Sequence, residues 1–158
     1  MTPAINAAKK AKVAFDVLEY QHDQDAESYG LEAAEKLGLP ADSVFKTLLV
    51  ALTGHKSPLA VAVLPVSSSL SLKAIAKAVG AKKAEMADPK VAERVTGYIV
   101  GGISPLGQKK LFPTVIDESA NDLERIHVSA GRRGLEIAIS GTDMASLCRG
   151  IFAGITAK

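Results

Sequence analysis

Tryptophan is absent from this 158-residue chain, aromatic residues make up only 4% of it, and a single cysteine, Cys148, stands near its carboxyl end. A lone cysteine excludes an intrachain disulfide and a cysteine-based zinc cluster. His22, His55 and His127 are scattered without a local ligand spacing, so neither a metal site nor a cofactor is expected. No apolar run is long enough to span a bilayer, and Met1-Thr-Pro-Ala-Ile-Asn6 lacks a basic region followed by an apolar one. Membrane anchoring and secretion are therefore not indicated, and a cytoplasmic protein is expected. What is plentiful is small and branched apolar residues: 47% of the chain is hydrophobic, mostly alanine, valine and leucine. That length fits one domain, residues 1–158, able to bury about two thirds of its unfolded surface without staples.

Charge is unevenly spread. Residues 1–42 carry four Lys/Arg against eight Asp/Glu, whereas residues 43–158 carry fifteen against nine. Lys73, Lys77, Lys82 and Lys83 cluster in one stretch, with Lys109, Lys110, Arg132 and Arg133 in two later loops. A solvated face accounts for such charges, and the same basic half can also attract a polyanion such as nucleic acid.

Local patterns alternate between helix and strand. Thr2-Pro3 can cap a first helix, Val13 to Tyr20 alternates as a strand, and Leu31 to Leu37 reads as a helix stopped by Gly38 and Pro40. Phe45 to Leu52 and Leu59 to Leu64 are apolar on both faces and predict an antiparallel hairpin at the centre of the sheet. Leu72, Ile75, Ala76 and Val79 form the stripe of a helix from Ser71 to Gly80, and Asp88-Pro89 starts another. Tyr98 to Ile103 reads as a strand, Thr114 to Ile116 as a further one, and Arg125 to Ser129 as the partner of Leu135 to Ile139. Met144, Leu147, Cys148 and Ile151 predict one face of a terminal helix capped by Thr142 and stopped by Gly150, which makes Cys148 a buried structural thiol. Many hairpins and few β-α-β crossovers favour a single mixed, largely antiparallel α+β domain over a doubly wound nucleotide fold.

Two motifs bear on chemistry. The run Gly97-Tyr-Ile-Val-Gly-Gly-Ile-Ser-Pro-Leu-Gly107 supplies a glycine loop able to present backbone N–H groups to a carbonyl or phosphate oxygen. In Phe45-Lys-Thr-Leu-Leu-Val-Ala-Leu52 a lone lysine, Lys46, begins an apolar strand, with a parity shared by Leu48, Val50 and Leu52 on a face that should turn inward. Its amine either snorkels to water or stands at a pocket mouth to hold a phosphate or polarise an ester carbonyl. Ser43-Val-Phe-Lys46 has a Ser-x-x-Lys spacing, but a lysine starting a strand lacks the helical contact that acyl transfer by such a pair needs. Gly102-Ile-Ser-Pro-Leu-Gly107 resembles the start of a phosphate loop, yet Gln108 precedes Lys109 and no Ser/Thr follows, which argues against NTP hydrolysis.

Four segments in order, Phe45-Lys-Thr-Leu-Leu-Val50, Lys82-Lys-Ala-Glu-Met-Ala-Asp88, Thr96-Gly-Tyr-Ile-Val-Gly-Gly-Ile-Ser-Pro-Leu-Gly-Gln-Lys-Lys110 and Val128-Ser-Ala-Gly-Arg-Arg-Gly-Leu135, give the chain a clear resemblance to the YbaK/EbsC family of bacterial aminoacyl-tRNA deacylases. These are relatives of the editing domain inserted in bacterial prolyl-tRNA synthetases. The resemblance implies a barrel-like sheet with outer helices and a small pocket that clears proline tRNA wrongly charged with cysteine. It also implies aminoacyl-tRNA and prolyl-tRNA synthetase as partners. Carried over, it puts the catalytic lysine at Lys46 and substrate contacts at Tyr20, Tyr29, Thr47, Gly101, Gly102, Ser129 and Glu136. Tyr29 stands where phenylalanine is expected, Ala130 and Arg132 where glycine and lysine are common, and Glu136 where some members have aspartate; these departures bear on pocket fit. The implied mechanism needs no protein nucleophile, because the substrate's own thiol attacks its ester. Direct attack by water is the rival within the enzyme class, and a non-catalytic tRNA- or synthetase-binding module the rival outside it.

Overall fold

The computed structural model describes residues 1–24 and 28–157. Helix α1 (Pro3–Ala11) begins where Thr2 Oγ1 accepts the Ile5 N–H at 3.2 Å, and it buries Ala4, Ile5 and Ala8. The same Thr2 hydroxyl donates to the Ala130 carbonyl, fixing the helix start to a strand more than a hundred residues away. Strand β1 (Phe15–Glu19) and helix α2 (Tyr29–Leu37) follow, the helix capped by Ser28 and ended by Gly38 in the left-handed region. Strands β2 (Phe45–Thr53) and β3 (Leu59–Pro65) form the expected antiparallel hairpin, with Lys46 opposite Leu64 and Thr47 opposite Val63. Every residue of β3 is buried, because both of its faces are covered.

Helix α3 (Leu72–Val79) runs from the Ser71 cap to Gly80 as its apolar stripe predicts. Strand β4 (Lys83–Met86) then pairs with β2, and α4 (Pro89–Thr96) starts at the Asp88 cap. Strand β5 (Thr114–Asp117), the hairpin β6 (Ile126–Arg132) and β7 (Leu135–Ile139), helix α5 (Gly141–Cys148) and strand β8 (Ile151–Ala153) complete the chain. One sheet has the order β1-β7-β6, antiparallel throughout; the other has the order β4-β2-β3-β5-β8, with parallel pairs at β3-β5 and β5-β8. A parallel bridge between Val44 and His127 links the two sheets. The sheets do not close into a barrel, and the mixed α+β, largely antiparallel reading of the sequence stands.

Among the described residues, two large apolar clusters fill most of the interior, and a smaller third packs Ala33 and Ala34 of α2 against Val44 and Val66. One of the large clusters joins the two sheets through Phe45, Leu49, Val61, Val63, Val128 and Ile137; the other packs Val50, Ala60, Ala62 and Leu64 under Ile75 of α3. The face of β2 that carries Leu48, Val50 and Leu52 therefore meets α3, and the opposite face meets the second sheet.

Three expectations are corrected. Residues 98–103 form no strand: Gly101 has φ +90°, Gly102 N–H closes a turn on the Ile99 carbonyl, and the backbone of Val100 bonds to side chains, its N–H to Glu93 at 2.8 Å and its carbonyl to Arg133. A ladder cannot form where those groups are already taken. In α5 the cap is Ser140, whose hydroxyl accepts the Asp143 N–H at 3.1 Å, and the helix ends at Arg149 in the left-handed region, so Thr142 and Gly150 do not bound it. Ile151 leaves the helix face for β8 and is half exposed, while Met144 and Cys148 are buried as expected. Strand β4, whose alternation Lys83-Ala84-Glu85-Met86 runs for only four residues, and the three-residue β8 are too short to stand out in the sequence.

Candidate active site

A cavity of about 360 Å³ opens between β2 and the β6–β7 hairpin. Phe45, Thr47 and Leu49 form one wall, and Ser129 and Glu136, paired across β6 and β7, form another. Tyr20, just past β1, Tyr29, the first residue of α2, and Val100 and Gly101 of the glycine loop add to the lining, with Gly101 against the Tyr29 ring. Met86, Ala87, Ala92 and Ile103 give an apolar side. Lys46 also lines the space. Seven of the eight sequence-derived positions thus come together. Gly102 is not among the lining residues; a Cβ there would lie 2.7 Å from the Arg132 Cα, so it lets the glycine loop press on the β6–β7 hairpin.

Each polar group has its own setting. The Lys46 amine donates to the Ser68 carbonyl at 2.6 Å, and burial lowers its pKa. Thr47 Oγ1 is buried and has no hydrogen-bond partner among the described residues. Ser129 Oγ accepts the Gly131 N–H at 3.2 Å. Burial pushes the Glu136 carboxyl up to about 8, and burial, aided by the charge of Glu136, pushes the Tyr20 phenol to about 12. Near neutral pH the inner wall is thus largely uncharged, an acid and a phenol that both keep their protons.

The Tyr20 and Tyr29 segments are held together by Glu32, 7% exposed, on α2. Its carboxylate lies 2.7 Å from His22 Nδ1, accepts the Asp23 N–H at 2.7 Å and stands 3.8 Å from the Lys36 amine. Burial alone would raise its pKa; the His22 and Asp23 hydrogen bonds and the nearby positive charge outweigh it and lower the pKa.

Arg133 is the group that motif reasoning missed. Its guanidinium donates to the Val100 carbonyl from Nε at 3.0 Å and Nη2 at 2.6 Å, and lies 4.2 Å from the centre of the Tyr29 ring. In sequence it is one of two arginines in a turn, indistinguishable from a solvated charge.

The raised pKa of Glu136 has a measurable consequence. The folded chain holds a proton there that an ordinary glutamate, with a pKa of about 4.3, has released. Between those values the folded state binds more protons than the unfolded, so this contribution to stability is full at low pH and is lost as pH rises through about 8. Glu136→Gln keeps the shape of the neutral acid, so its melting temperature should fall less than that of the wild type between about pH 5 and about pH 9. Equal declines would show that Glu136 ionises alike in both states.

Among the described residues, the lining contains neither histidine nor cysteine. Among the described residues no group of three or more His, Cys, Asp or Glu could hold a metal ion. Cys148 is 3% exposed in the core cluster between the sheets, and burial pushes its pKa to about 11, the opposite of what a nucleophile needs. Cys148→Ser is expected to keep most of the chain's activity while lowering its melting temperature, since a hydroxyl costs more than a thiol to bury in an apolar core. Complete loss of activity in a folded variant would return the thiol to the chemistry.

Comparison with known proteins shows the family and the fold. The chain is 42% identical over 160 residues, covering 99% of itself and 94% of its relative, to a protein of Enterococcus faecalis (strain ATCC 700802 / V583) named as a candidate Cys-tRNA(Pro)/Cys-tRNA(Cys) deacylase, EbsC. Its fold matches a crystal structure described as a candidate trans-editing enzyme for prolyl tRNA synthetase, with a TM-score of 0.85 at 17% identity over 99% of this chain and 96% of the other. It also matches the structure of hypothetical protein APE2540, with a TM-score of 0.84 at 20% identity over 98% and 99%. A family model described as an aminoacyl-tRNA editing domain matches residues 24–147, a span that contains the whole β2 wall, the glycine loop and the β6–β7 hairpin, and the chain belongs to that family.

Proposed function

We propose that this chain, as one editing domain over residues 1–158, removes cysteine from wrongly charged proline tRNA, working in trans beside prolyl-tRNA synthetase in the cytoplasm. Kinship supports the deacylase activity. The observation that carries the reading is the make-up of the cavity: a small, mostly apolar space with bare backbone at Gly101, an ammonium at its wall, and, among the described residues, no histidine or cysteine to act as base or nucleophile. Such a space suits a reaction in which the substrate brings its own nucleophile. The cysteinyl thiol attacks the ester carbonyl, a sulfur–carbon bond forms as the bond to the ribose oxygen breaks, and the thiol proton ends on that oxygen. A cyclic thiolactone and free tRNA result.

In this scheme the protein contributes position and electrostatics. Tyr20, Tyr29 and the apolar side fold the aminoacyl group into an attacking conformation, and such positioning is worth roughly 7–11 kcal/mol when geometry is good. Thr47 and Ser129 offer hydroxyls, Glu136 in its acid form can donate a hydrogen bond, and the Gly101 amide meets the developing oxyanion. Gly102 supports that loop from behind. Lys46 is the catalytic residue of the reading, its partly desolvated charge acting on the ester or the terminal phosphate. Exposed Lys82, just before β4, and Lys83, the first residue of that strand, whose Met86 lines the cavity, are placed to attract the RNA backbone. A second reading, attack by positioned water, is favoured by one feature: a carboxyl with a pKa of about 8 is partly ionised just above neutral pH and can take a proton from water.

The experiment supplies prolyl-tRNA synthetase with proline tRNA and cysteine so that the mischarged ester accumulates, then adds substoichiometric amounts of this chain. The cysteinyl ester should fall close to zero while the prolyl ester, formed in a parallel reaction, keeps its plateau. An undiminished cysteinyl plateau would count against the reading.

A further inference from the structure

Val100 has both of its backbone polar groups held by charged side chains from other elements. Its N–H donates to Glu93 Oε2 of α4 at 2.8 Å, and its carbonyl accepts two hydrogen bonds from Arg133, in the two-residue turn between β6 and β7. A guanidinium fork on one carbonyl restrains both the position and the tilt of that peptide plane in a way that a single donor cannot. The peptide that follows is trans, as are all peptide bonds among the described residues, so the Gly101 N–H points away from the carbonyl that Arg133 holds. Arg133 itself does not line the cavity, whereas Val100 and Gly101 do. The Gly101 N–H thus belongs to a peptide plane that Arg133 holds from its opposite edge, at a residue that lines the cavity.

Two further contacts make this arrangement stiff. The guanidinium covers the Tyr29 ring at 4.2 Å from its centre, and a Cβ built on Gly101 would lie 2.5 Å from Tyr29 Cδ2 and 2.7 Å from Arg133 Nε. Tyr29, Arg133 and the glycine backbone are thus stacked closely enough that only glycine fits, and its φ of +90° also requires it. One side chain thus holds both the Tyr29 ring and the peptide that leads into Gly101.

We infer that Arg133 is a positioning residue: by clamping the Val100 carbonyl and stacking on Tyr29, it aims the Gly101 N–H at the oxyanion that forms as the ester is attacked. The inference rests on the deacylase reading and names how its oxyanion donor is held. It applies whether thiol or water attacks, since both routes put negative charge on the same oxygen. Arg133 acts through Val100 and need not touch the substrate.

The test measures single-turnover cleavage of the cysteinyl ester of proline tRNA at saturating protein, with the dissociation constant determined separately, for wild type, Arg133→Lys and Arg133→Ala. Loss or misplacement of an oxyanion donor costs about 100-fold, so both variants should lose about 10- to 100-fold in the cleavage rate while binding changes little. Lysine keeps the charge and stem but not the fork, and it keeps the comparison readable if the alanine variant unfolds. Added guanidinium ion should restore part of the rate to Arg133→Ala and none to wild type, a response that a general packing defect would not give. An unchanged cleavage rate in Arg133→Lys would overturn the inference. So would a loss confined to the dissociation constant with a shallower salt dependence, which would make Arg133 a direct RNA contact. No cleavage by the wild type would remove the deacylase reading and this inference with it; an active wild type with unimpaired variants removes the inference alone.

Discussion

A seryl ester of proline tRNA is expected to be cleaved at least about 1,000-fold more slowly than the cysteinyl ester at saturating protein, a gap beyond the ~100-fold that pocket fit gives between near-isosteres. The two substrates differ by one atom in a cavity whose inner wall offers hydroxyls, a neutral acid and apolar carbon, so binding should differ little. Their nucleophiles differ greatly: a thiol with a pKa near 8.5 is partly ionised at neutral pH, and a serine hydroxyl is not. The first product should also differ from simple hydrolysis, being a thiolactone before it opens to free cysteine. Comparable rates for the two esters, with free amino acid as the first product of both, would replace thiol attack by water, and Glu136 would then be the group to test as its base.

Lys46→Ala should lose about 100-fold or more in kcat/KM, the scale on which a single electrostatic contact to a developing charge acts. The lysine is half-buried with its amine on the Ser68 carbonyl, so its truncation removes one hydrogen bond and a charge while leaving the apolar clusters untouched. Circular dichroism and a melting temperature near that of the wild type should accompany the loss. Lys46→Arg should be impaired as well, because a planar fork does not occupy the place of a compact ammonium and its size would disturb the Ser68 contact. Near wild-type rates in Lys46→Ala would remove this residue from the chemistry and leave it as an anchor for the loop after β3.

How far the sequence revealed all this depends on whether the deciding interactions are local. Helix α3 was legible because Ser71 and Gly80 carry its start and stop within the segment itself, and the β2–β3 hairpin was legible because its runs are apolar throughout. Residues 98–103 read as a strand because nothing in them shows that Glu93 and Arg133 will take the Val100 backbone. The Arg133 fork arrives from a turn more than thirty residues further on, and in sequence it resembles any exposed arginine. Strand parity put Lys46 with Leu48, Val50 and Leu52 correctly, yet it could not say which of two buried faces of β2 opens on a cavity. The cavity lies on the other side, with Phe45, Thr47 and Leu49, and Lys46 reaches its rim from the end of the strand. Tyr20, Tyr29, Ser129 and Glu136 came from resemblance, since only the folded chain shows that the end of β1, the start of α2 and the β6–β7 hairpin converge.

The most direct test of the central claim is the number of esters cleaved per protein molecule when catalytic amounts are mixed with separately prepared cysteinyl, alanyl and prolyl esters of proline tRNA, with no synthetase present. The account predicts many turnovers on the cysteinyl ester, much slower cleavage of the alanyl ester, which has no thiol, and none above background on the prolyl ester. Saturable binding of all three without cleavage would contradict it and leave the chain as a tRNA-binding module that keeps the editing fold.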